Sequence, residues 1–449
     1  RRPDPVLQQV EDFSDGSVSA NDCFRPVSRY FDRITRPEQV LKALPKAMSV
    51  LTDAANCGPV CLSLCQDVQA ESYSFPEEFF DDHIWDISRI RCDEHALSGA
   101  IKALSTARRP VIIAGGGVRY SGAHDVLKTL AENAGIPVAM TQAGKSALPD
   151  DHPLCLGAIG VTGTSAANKI VAEADVILSI GSRLQDFTTG SNTLLSGQII
   201  SINMQAHDAV KSDSLALIGD AKATLDELLD GLGSYHTSQS YSANIIDAQV
   251  IWKAEWASVT DAPSSNNLPS DSEVIGAVNR ATPQQTIVVG AAGSMPGELH
   301  KLWLTGQSDG YHMEYGFSCM GYEVAAGIGV HMAAPERPNV IFAGDGSYLM
   351  MNSELATAVM MGSSFTLVIN DNRGFGCINR LQAATGGAPF NNLLSDSHHE
   401  ILPEIDFVSH AASMGARALK VNSIAELEEA VRGAIMRNGV DVIVIDTDP

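Results

Sequence analysis

Short apolar runs alternate with longer amphipathic segments over most of the chain. In the first half the apolar runs are Pro110–Ala114, Pro137–Met140, Val176–Ile180 and Ile199–Ile202. Runs of this length are typical of buried strands, and the segments between them, such as Ala123–Ala134, have the apolar spacing of helices. Because strands and helices alternate from residue 96 to residue 232, we expect a doubly wound α/β domain with a parallel sheet.

A second alternation of the same kind runs from Glu273 to Asp448. Its predicted strands are Thr286–Val289, Val340–Ala343, Phe365–Ile369 and Val442–Ile445. Its predicted helices include Val324–Val330, Ser353–Met361 and Ala425–Met436. This pattern indicates a second complete α/β domain with a parallel sheet.

The remaining residues are too few to close a third domain of this kind. Residues 1–78 contain one helix-like run near Pro37–Leu51 and one apolar run near Cys57–Cys65, which we interpret as a short buried strand. We therefore predict an incomplete domain at 1–78 and a complete domain at 79–235. A linker at 236–272 and a second complete domain at 273–449 follow.

The composition narrows the range of partners. The 449 residues carry a net charge of −23, and 45% of them are hydrophobic. Nucleic acid and anionic membranes attract clustered Lys and Arg, so this charge argues against both as partners. No apolar run reaches about 18 residues, the length that crosses a bilayer. The eight cysteines show no disulfide spacing, so we expect free core cysteines and a cytoplasmic protein.

Polar residues follow two neighbouring strands of the second predicted sheet. The strand Val340–Ala343 leads into Gly344-Asp345-Gly346-Ser347, and the next strand ends just before Asn372. Parallel strands joined by a helix place their C-terminal ends at one edge of a sheet, where open α/β folds bind ligands. Asp345 and the side-chain oxygen of Asn372 should therefore lie close together. These two oxygens, two diphosphate oxygens and a water would make a good shell for Mg²⁺.

Other glycine-rich segments allow two interpretations. Gly293 and Ser294, after the strand Thr286–Val289, are predicted to approach a diphosphate together with Ser347. Gly115–Gly117 follows a strand of the first domain, but the full Gly-x-Gly-x-x-Gly spacing is absent, so we do not expect a flavin or other dinucleotide there. Taken singly, each of these segments, the Gly-Asp-Gly turn included, can equally be a tight turn.

The paired motifs resemble the cofactor-binding sequence of thiamine diphosphate (ThDP) enzymes, in which Gly-Asp-Gly is followed by an asparagine and a Gly-aromatic-Gly turn. The resemblance implies that Asp345, Asn372 and the main-chain oxygen of Gly374 bind Mg²⁺. It assigns the residues of the two turns to cofactor binding, namely Gly344, Gly346, Ser347, Gly374, Phe375 and Gly376.

The segment His312–Glu323 resembles the part of these enzymes in which a bulky apolar side chain holds the cofactor in a V shape. Met320, which precedes Gly321, matches that position. The main-chain oxygen of Ser318 would accept a hydrogen bond from the 4′-amino group of the cofactor. The alternative for Met320 is an ordinary core residue, which is the usual role of methionine.

Motifs spread over the chain resemble one branch of the superfamily, the trihydroxycyclohexane-1,2-dione hydrolases of inositol catabolism. They include Arg2-Pro-Asp-Pro-Val-Leu-Gln-Gln, Thr141-Gln-Ala-Gly-Lys-Ser and His312-Met-Glu-Tyr-Gly. The resemblance implies pyrimidine-binding, middle and diphosphate-binding domains in that order, and a homodimer or homotetramer with shared active sites. It also implies that the glutamate that activates ThDP precedes Arg1, and that a C-terminal extension follows Pro449.

The reaction implied by this resemblance is hydrolytic opening of a small cyclic 1,2-dione to 5-deoxyglucuronate, with ThDP taking up the electrons of the broken C–C bond. Proton transfer needs a His or a carboxylate near the reacting carbons, and His312 and Glu314 are the candidates. A purely structural His–Glu pair is the alternative. Two other functions stay open: an acetolactate-synthase-like carboligase or 2-oxo acid decarboxylase, and a non-catalytic scaffold with the same fold.

Overall fold

The computed structural model describes residues 20–261 and 268–449. They belong to two compact units, one within residues 1–91 and the other within residues 92–449. The motif that begins at Arg2 and residues 262–267 of the predicted linker lie outside the described residues. Each unit is considered by itself below.

The described part of the first unit, residues 20–91, contains a small two-stranded parallel sheet. Its elements are β1 (Tyr30–Ile34), α1 (Val40–Leu51), β2 (Val60–Leu64) and α2 (Gln66–Gln69), with 3₁₀ turns at Ala20–Val27, Pro37–Gln39 and Glu77–Phe80. The prediction of a buried strand with core cysteines was wrong in part. Cys57 is exposed, and Cys61 and Cys65 are half-buried, because two strands and one packed helix cover little surface.

The second unit begins with a six-stranded parallel sheet. Its strands are β3 (Pro110–Ala114), β4 (Val138–Met140), β5 (Cys155–Ala158), β6 (Val176–Ile180), β7 (Gln198–Asn203) and β8 (Leu215–Ile218), in the order β5-β4-β3-β6-β7-β8. The helices around it are α3 (Glu94–Thr106), α4 (Gly116–Tyr120), α5 (His124–Ala134), α6 (Ser165–Ala172), α7 (Asp186–Thr189), α8 (Ala206–Ala209), α9 (Ala221–Leu232) and α10 (Gln239–Thr260). The strand order is that of a doubly wound sheet.

Helix α10 occupies most of the predicted linker. It begins after Ser238, whose hydroxyl accepts a hydrogen bond from the backbone N–H of Tyr241, and it runs for 22 residues. Tyr241, Ile245 and Ala248 share one face of this helix and are buried in the core on one side of the sheet. Residues 239–260 therefore form a packed helix and not an extended connection. The predicted domain boundaries at 78, 235 and 272 stay predictions.

A second six-stranded parallel sheet completes the unit. Its strands are β9 (Ile287–Gly290), β10 (Tyr311–Met313), β11 (Asn339–Gly344), β12 (Phe365–Asp371), β13 (Arg417–Val421) and β14 (Val440–Asp446), in the order β10-β9-β11-β12-β14-β13. Its helices are α11 (Asp271–Ala281), α12 (Met295–Leu302), α13 (Tyr322–Ala333), α14 (Asp345–Met350), α15 (Glu354–Met360), α16 (Gly376–Ala384), α17 (Phe407–Ser413) and α18 (Ile424–Ile435). The two parallel sheets confirm the predicted α/β fold class.

The strand order creates a ligand-binding edge in the second sheet. From β9 the chain passes to β10 on one side and then to β11 on the other side. The carboxyl ends of β9 and β11 therefore flank a topological switch point, where open α/β sheets bind ligands. Next to it, β11 and β12 pair with Gly344 opposite Asn370. This register places Asp345 and Asn372 just beyond the same edge.

His300, a fully buried residue of α12, connects the two sheets. Its Nε2 lies 3.0 Å from the main-chain oxygen of Met140 at the end of β4, and its Nδ1 lies 2.9 Å from Oγ1 of Thr162. Burial, reinforced by the positive charge of Lys145, lowers the pKa of His300 to about 3. The ring is therefore neutral at neutral pH, with Nε2 donating to Met140 and Nδ1 accepting from Thr162.

The structure also bears on the predicted absence of a membrane-spanning segment. Within residues 20–261 and 268–449, no helix combines the length and the hydropathy that spanning a bilayer requires.

Candidate active site

Asp345 and Asn372 lie at the shared edge of β11 and β12, as the alternating pattern predicts. Asp345 is the first residue of α14, and its side chain is buried. Oδ1 of Asp345 and Oδ1 of Asn372 are both buried, and neither has a hydrogen-bond partner within the described parts of the chain. Because buried oxygen atoms are normally paired, two unpaired ones at one strand edge indicate a site for a ligand with cationic or donor groups.

The environment of Asp345 supports that interpretation. Burial raises the pKa of its carboxyl group to about 6, and the nearby charge of Asp371 adds to the increase. Hydrogen bonds from backbone N–H groups, including a 3.1 Å bond from Gly374 to Oδ2, act in the opposite direction. Ionisation of Asp345 therefore costs free energy in the folded protein, and a bound cation would remove that cost.

The turn after Asn372 brings its glycines against other backbone. The N–H of Phe375 donates to the main-chain oxygen of Asn392 at 2.7 Å. A methyl group on Gly374 would lie 2.6 Å from that oxygen, and one on Gly376 would lie 2.8 Å from Nδ2 of Asn372. A side chain is therefore excluded by backbone at Gly374, whereas one at Gly376 would displace the side chain of Asn372, and this explains the two glycines of the motif.

Met320 comes together with the Gly-Asp-Gly turn. A methyl group on Gly346 would lie 3.7 Å from Cε of Met320 and 3.2 Å from Cε1 of Phe375. The following residue, Gly321, has a φ of +87°, a conformation that glycine adopts without strain. Ser318 is exposed and also has a positive φ, of +54°. The Met320 side chain thus lies over the turn that contains Asp345, where the predicted prop would be needed.

His312 is paired with a tyrosine and not with Glu314. Its Nε2 lies 2.7 Å from the hydroxyl of Tyr322, and the two rings are stacked with centroids 5.9 Å apart. Burial lowers the pKa of His312, and the positive charge of Arg119 lowers it further. His312 is therefore a neutral, half-buried imidazole with one nitrogen against a phenol.

Glu314 binds the loop that follows it. Its two carboxylate oxygens accept hydrogen bonds from the backbone N–H groups of Phe317 at 3.0 Å and Cys319 at 2.6 Å. Partial burial works to raise the pKa of Glu314, but these bonds and two weaker ones from Gly316 and Ser318 outweigh it and lower the pKa. The ionised carboxylate thus shapes the loop that leads to Met320.

Gly293 and Ser294 lie in the turn between β9 and α12. Gly293 has a φ of +84° with open space where a side chain would stand. The Ser294 hydroxyl donates to Oδ2 of Asp271 at 2.6 Å, and this buried carboxylate also accepts from Asn370 and Arg380, each at 3.0 Å. The Ser294 side chain therefore stabilises the turn, and the backbone N–H of Ser294 could donate to a ligand.

Two buried carboxylates of this region were not among the predicted site residues. Asp271 ties the turn at Ser294 to the end of β12. Glu323, in the first turn of α13, accepts from the Ser347 hydroxyl at 2.6 Å. One signal was available for Glu323, because it is a lone charge at the start of the apolar segment Val324–Val330.

The donor set fits a hard cation bound together with a diphosphate. Within residues 20–261 and 268–449, no three His, Cys, Asp or Glu side chains gather as they would in an all-protein metal site. A carboxylate, an amide oxygen and a main-chain oxygen suit Mg²⁺, which keeps few protein ligands and shares the rest with phosphates. Asp345, Asn372 and Gly374 could supply these three oxygens, as the resemblance to ThDP enzymes implies.

The glycine run of the first sheet is different in structure. A methyl group on Gly115 would lie 2.5 Å from the main-chain oxygen of Gly181, and one on Gly117 would lie 2.6 Å from its Cα. Two backbone segments therefore pack directly on each other at the ends of β3 and β6.

Comparison with protein families identifies two matching regions. The model "Thiamine pyrophosphate enzyme, central domain" matches residues 97–228. The model "Thiamine pyrophosphate enzyme, C-terminal TPP binding domain" matches residues 291–445, which contain both predicted metal-binding side chains. Thiamine pyrophosphate and thiamine diphosphate are the same compound.

Three similar proteins carry the name 3D-(3,5/4)-trihydroxycyclohexane-1,2-dione hydrolase. The protein of Clostridium perfringens is 40% identical over 97% of this chain and 73% of its own length. Those of Bacillus cereus and Geobacillus thermodenitrificans are each 40% identical over 96% of this chain and 72% of their own length.

Proposed function

This chain belongs to the family of thiamine-diphosphate-dependent trihydroxycyclohexane-1,2-dione hydrolases, and from that premise we propose that it opens the ring of a cyclic 1,2-dione with ThDP and Mg²⁺. The proposed product is 5-deoxyglucuronate, formed by C–C cleavage in myo-inositol catabolism. A cytoplasmic homodimer or homotetramer is part of the same proposal.

The observation that carries the proposal is the pair of buried, unpaired oxygens on Asp345 and Asn372. Together with the main-chain oxygen of Gly374 they would hold Mg²⁺. The backbone at Gly293, Gly346 and the neighbouring turn residues would bind the diphosphate, because N–H groups in such turns attract anions. These assignments are predictions that the experiments below test.

When bound, ThDP supplies a carbon nucleophile and an electron sink for breaking the bond between two carbonyl carbons. The residues of the chain must orient the substrate and move protons. His312 is suited to accept a proton, since burial and the charge of Arg119 keep its ring neutral. Tyr322, 2.7 Å from Nε2, would orient this ring. The Glu314 carboxylate would organise the loop before Met320.

Substrate comparison in one assay tests the proposal. We expect ring opening of trihydroxycyclohexane-1,2-dione that requires both ThDP and Mg²⁺, and no turnover of pyruvate. Conversion of pyruvate without dione hydrolysis would instead favour a carboligase or a decarboxylase. Cofactor binding with turnover of neither substrate would favour the scaffold.

The same assay tests His312 through the substitution His312→Gln. Loss of a general base should lower kcat about 10²- to 10⁴-fold and leave the ThDP affinity unchanged. The matched control is His410→Gln, because His410 also contacts a tyrosine, with Nδ1 3.0 Å from the hydroxyl of Tyr348. A kcat within about threefold of wild type for His312→Gln would remove His312 from the proposed chemistry.

A further inference from the structure

Glu323 is a buried carboxylate at the meeting point of three segments of the candidate site. It is 1% exposed and lies in the first turn of α13. Its Oε1 accepts from the Ser347 hydroxyl at 2.6 Å, and that hydroxyl in turn accepts from the N–H of Gly321 at 2.9 Å. Ser347 belongs to the Gly-Asp-Gly turn, and Gly321 directly follows Met320.

The same carboxylate also reaches the turn after β9. The backbone N–H groups of Ala292 and Gly321 lie near enough to favour its ionised form, as does the N–H of Glu323 itself. The β9 turn, the Met320 turn and the Asp345 turn therefore lie around one carboxylate. All three turns lie at the carboxyl edge of the second sheet, around the topological switch point.

Burying this group is costly for the fold. Burial raises the pKa of Glu323, and hydrogen bonds from Ser347 and the backbone oppose the increase only in part. An apolar side chain of similar volume would avoid this cost, but it would leave the Ser347 hydroxyl and the neighbouring N–H groups without their acceptor. The partners of the carboxylate, all in turns at the edge of the second sheet, indicate what it contributes there.

We propose that Glu323 is a positioning residue for the cofactor: it fixes the turns at Ala292, Gly321 and Ser347 relative to one another and thereby holds Met320 over Gly346. This inference rests on the proposed function, since it assigns the three turns to ThDP. Glu323 need not touch the cofactor, because it acts through the backbone that would.

Two substitutions separate positioning from stability. Glu323→Gln keeps the volume but replaces one acceptor oxygen by an NH₂ group that faces N–H donors. Glu323→Met removes the acceptors together with the buried charge, so relief of the charge and loss of the hydrogen bonds act on the melting temperature in opposite directions. For both variants we expect ThDP to bind about 10- to 100-fold more weakly in the presence of Mg²⁺, as for loss of other groups that orient a first ligand shell.

Calorimetric titration of the full-length protein with ThDP and Mg²⁺ gives the affinity without any need for turnover, and thermal melting shows that each variant is folded. The matched control is Asp441→Asn. Asp441 is a buried carboxylate of the same sheet, at the start of β14, and it pairs with Arg417 and Arg437. This control should melt at a lower temperature and keep its ThDP affinity within about twofold of wild type.

The outcomes distinguish this inference from the proposed function. If wild type binds ThDP and either folded Glu323 variant binds it within about twofold of wild type, the positioning role is overturned. Equal weakening in Asp441→Asn would overturn it too, because affinity would then follow stability alone. Failure of the wild-type protein to bind ThDP would instead overturn the proposed function.

Discussion

Both six-stranded sheets have a glycine-rich segment at the carboxyl end of a central strand, but the glycines have different structural roles in the two segments. In the first sheet, the glycines at 115 and 117 pack directly on the backbone of Gly181. In the second sheet, a methyl group on Gly344 would meet nothing within 4 Å, and unpaired oxygens lie close by on Asp345 and Asn372. Glycine thus permits close packing at residues 115 and 117 and leaves open space at residue 344.

The difference shows which feature indicates a ligand site. A glycine alone indicates only that a side chain would clash there or would fill space that the structure leaves open. Unpaired buried oxygens indicate that a partner is needed, since such atoms are costly in a folded protein. The family model of the C-terminal TPP binding domain covers the second segment, residues 344–347. The following predictions test this contrast.

The largest effect is expected from Asp345→Asn. Loss of the anionic oxygen should weaken Mg²⁺-dependent ThDP binding by at least about 100-fold, more than loss of an indirect partner typically costs. The free energy of unfolding without cofactor should stay constant or rise by about 1 kcal/mol at pH 7, because a buried charge is removed. Calorimetry and urea unfolding measure the two quantities. A variant that loses stability and keeps its ThDP affinity would show that Asp345 is structural.

The next effect separates the two glycine segments directly. Gly115→Ala should lower the free energy of unfolding by about 2–3 kcal/mol through overpacking against Gly181, with the ThDP affinity unchanged. Gly344→Ala should change stability by less than about 0.5 kcal/mol, since its φ of −73° suits alanine. Gly344→Ala should nonetheless weaken ThDP binding about tenfold, because the methyl group would occupy space that the proposed cofactor site needs. The same response in both variants would contradict the contrast.

A smaller, pH-dependent effect is expected where the two sheets meet, at His300. Its pKa of about 3 in the folded protein is below the ordinary value of 6.5, so the unfolded chain binds a proton that the folded chain does not. The contribution of neutral His300 to the free energy of unfolding is complete above pH 6.5, and it is lost as the pH falls toward 3. Between pH 7 and pH 5 the loss should be about 2 kcal/mol.

Urea unfolding of wild type and His300→Gln at several pH values measures this contribution. The variant should be less stable at pH 7, because the contact with Met140 is altered, but its stability should decline less toward pH 5. An equally steep decline in both proteins would mean that other groups cause the acid sensitivity.

The repeating pattern was sufficient to predict the parallel sheets and the strand-end position of Asp345 and Asn372. Both depend on local periodicity and on the general geometry of parallel strands. The roles of Glu323 and Asp271 could not be predicted in this way. Glu323 contacts a residue 24 positions away, and Asp271 contacts one 99 positions away. Such contacts depend on how helices pack, which periodicity does not specify.

Helix α10 shows another limit of the pattern. Its buried residues are only Tyr241, Ile245, Ala248 and Thr260, and exposed apolar residues such as Ile246 and Val250 lie between them. Apolar residues therefore do not concentrate on one face of α10. For this reason the sequence does not show that the segment is a helix packed on the first sheet, and it was predicted to be a linker.

The pairing of Gly344 with Asn370 determines where the chain tolerates inserted residues. The site depends on the register of β11 and β12, not on the number of residues between them. Residues added in the connection between α14 and α15 would leave both strand ends in place. One residue added inside β12 would turn Asn372 to the opposite face of the sheet. Insertions are thus tolerable in the loop and harmful in the strand, so strand-end position is a better guide than spacing for finding this site in other sequences.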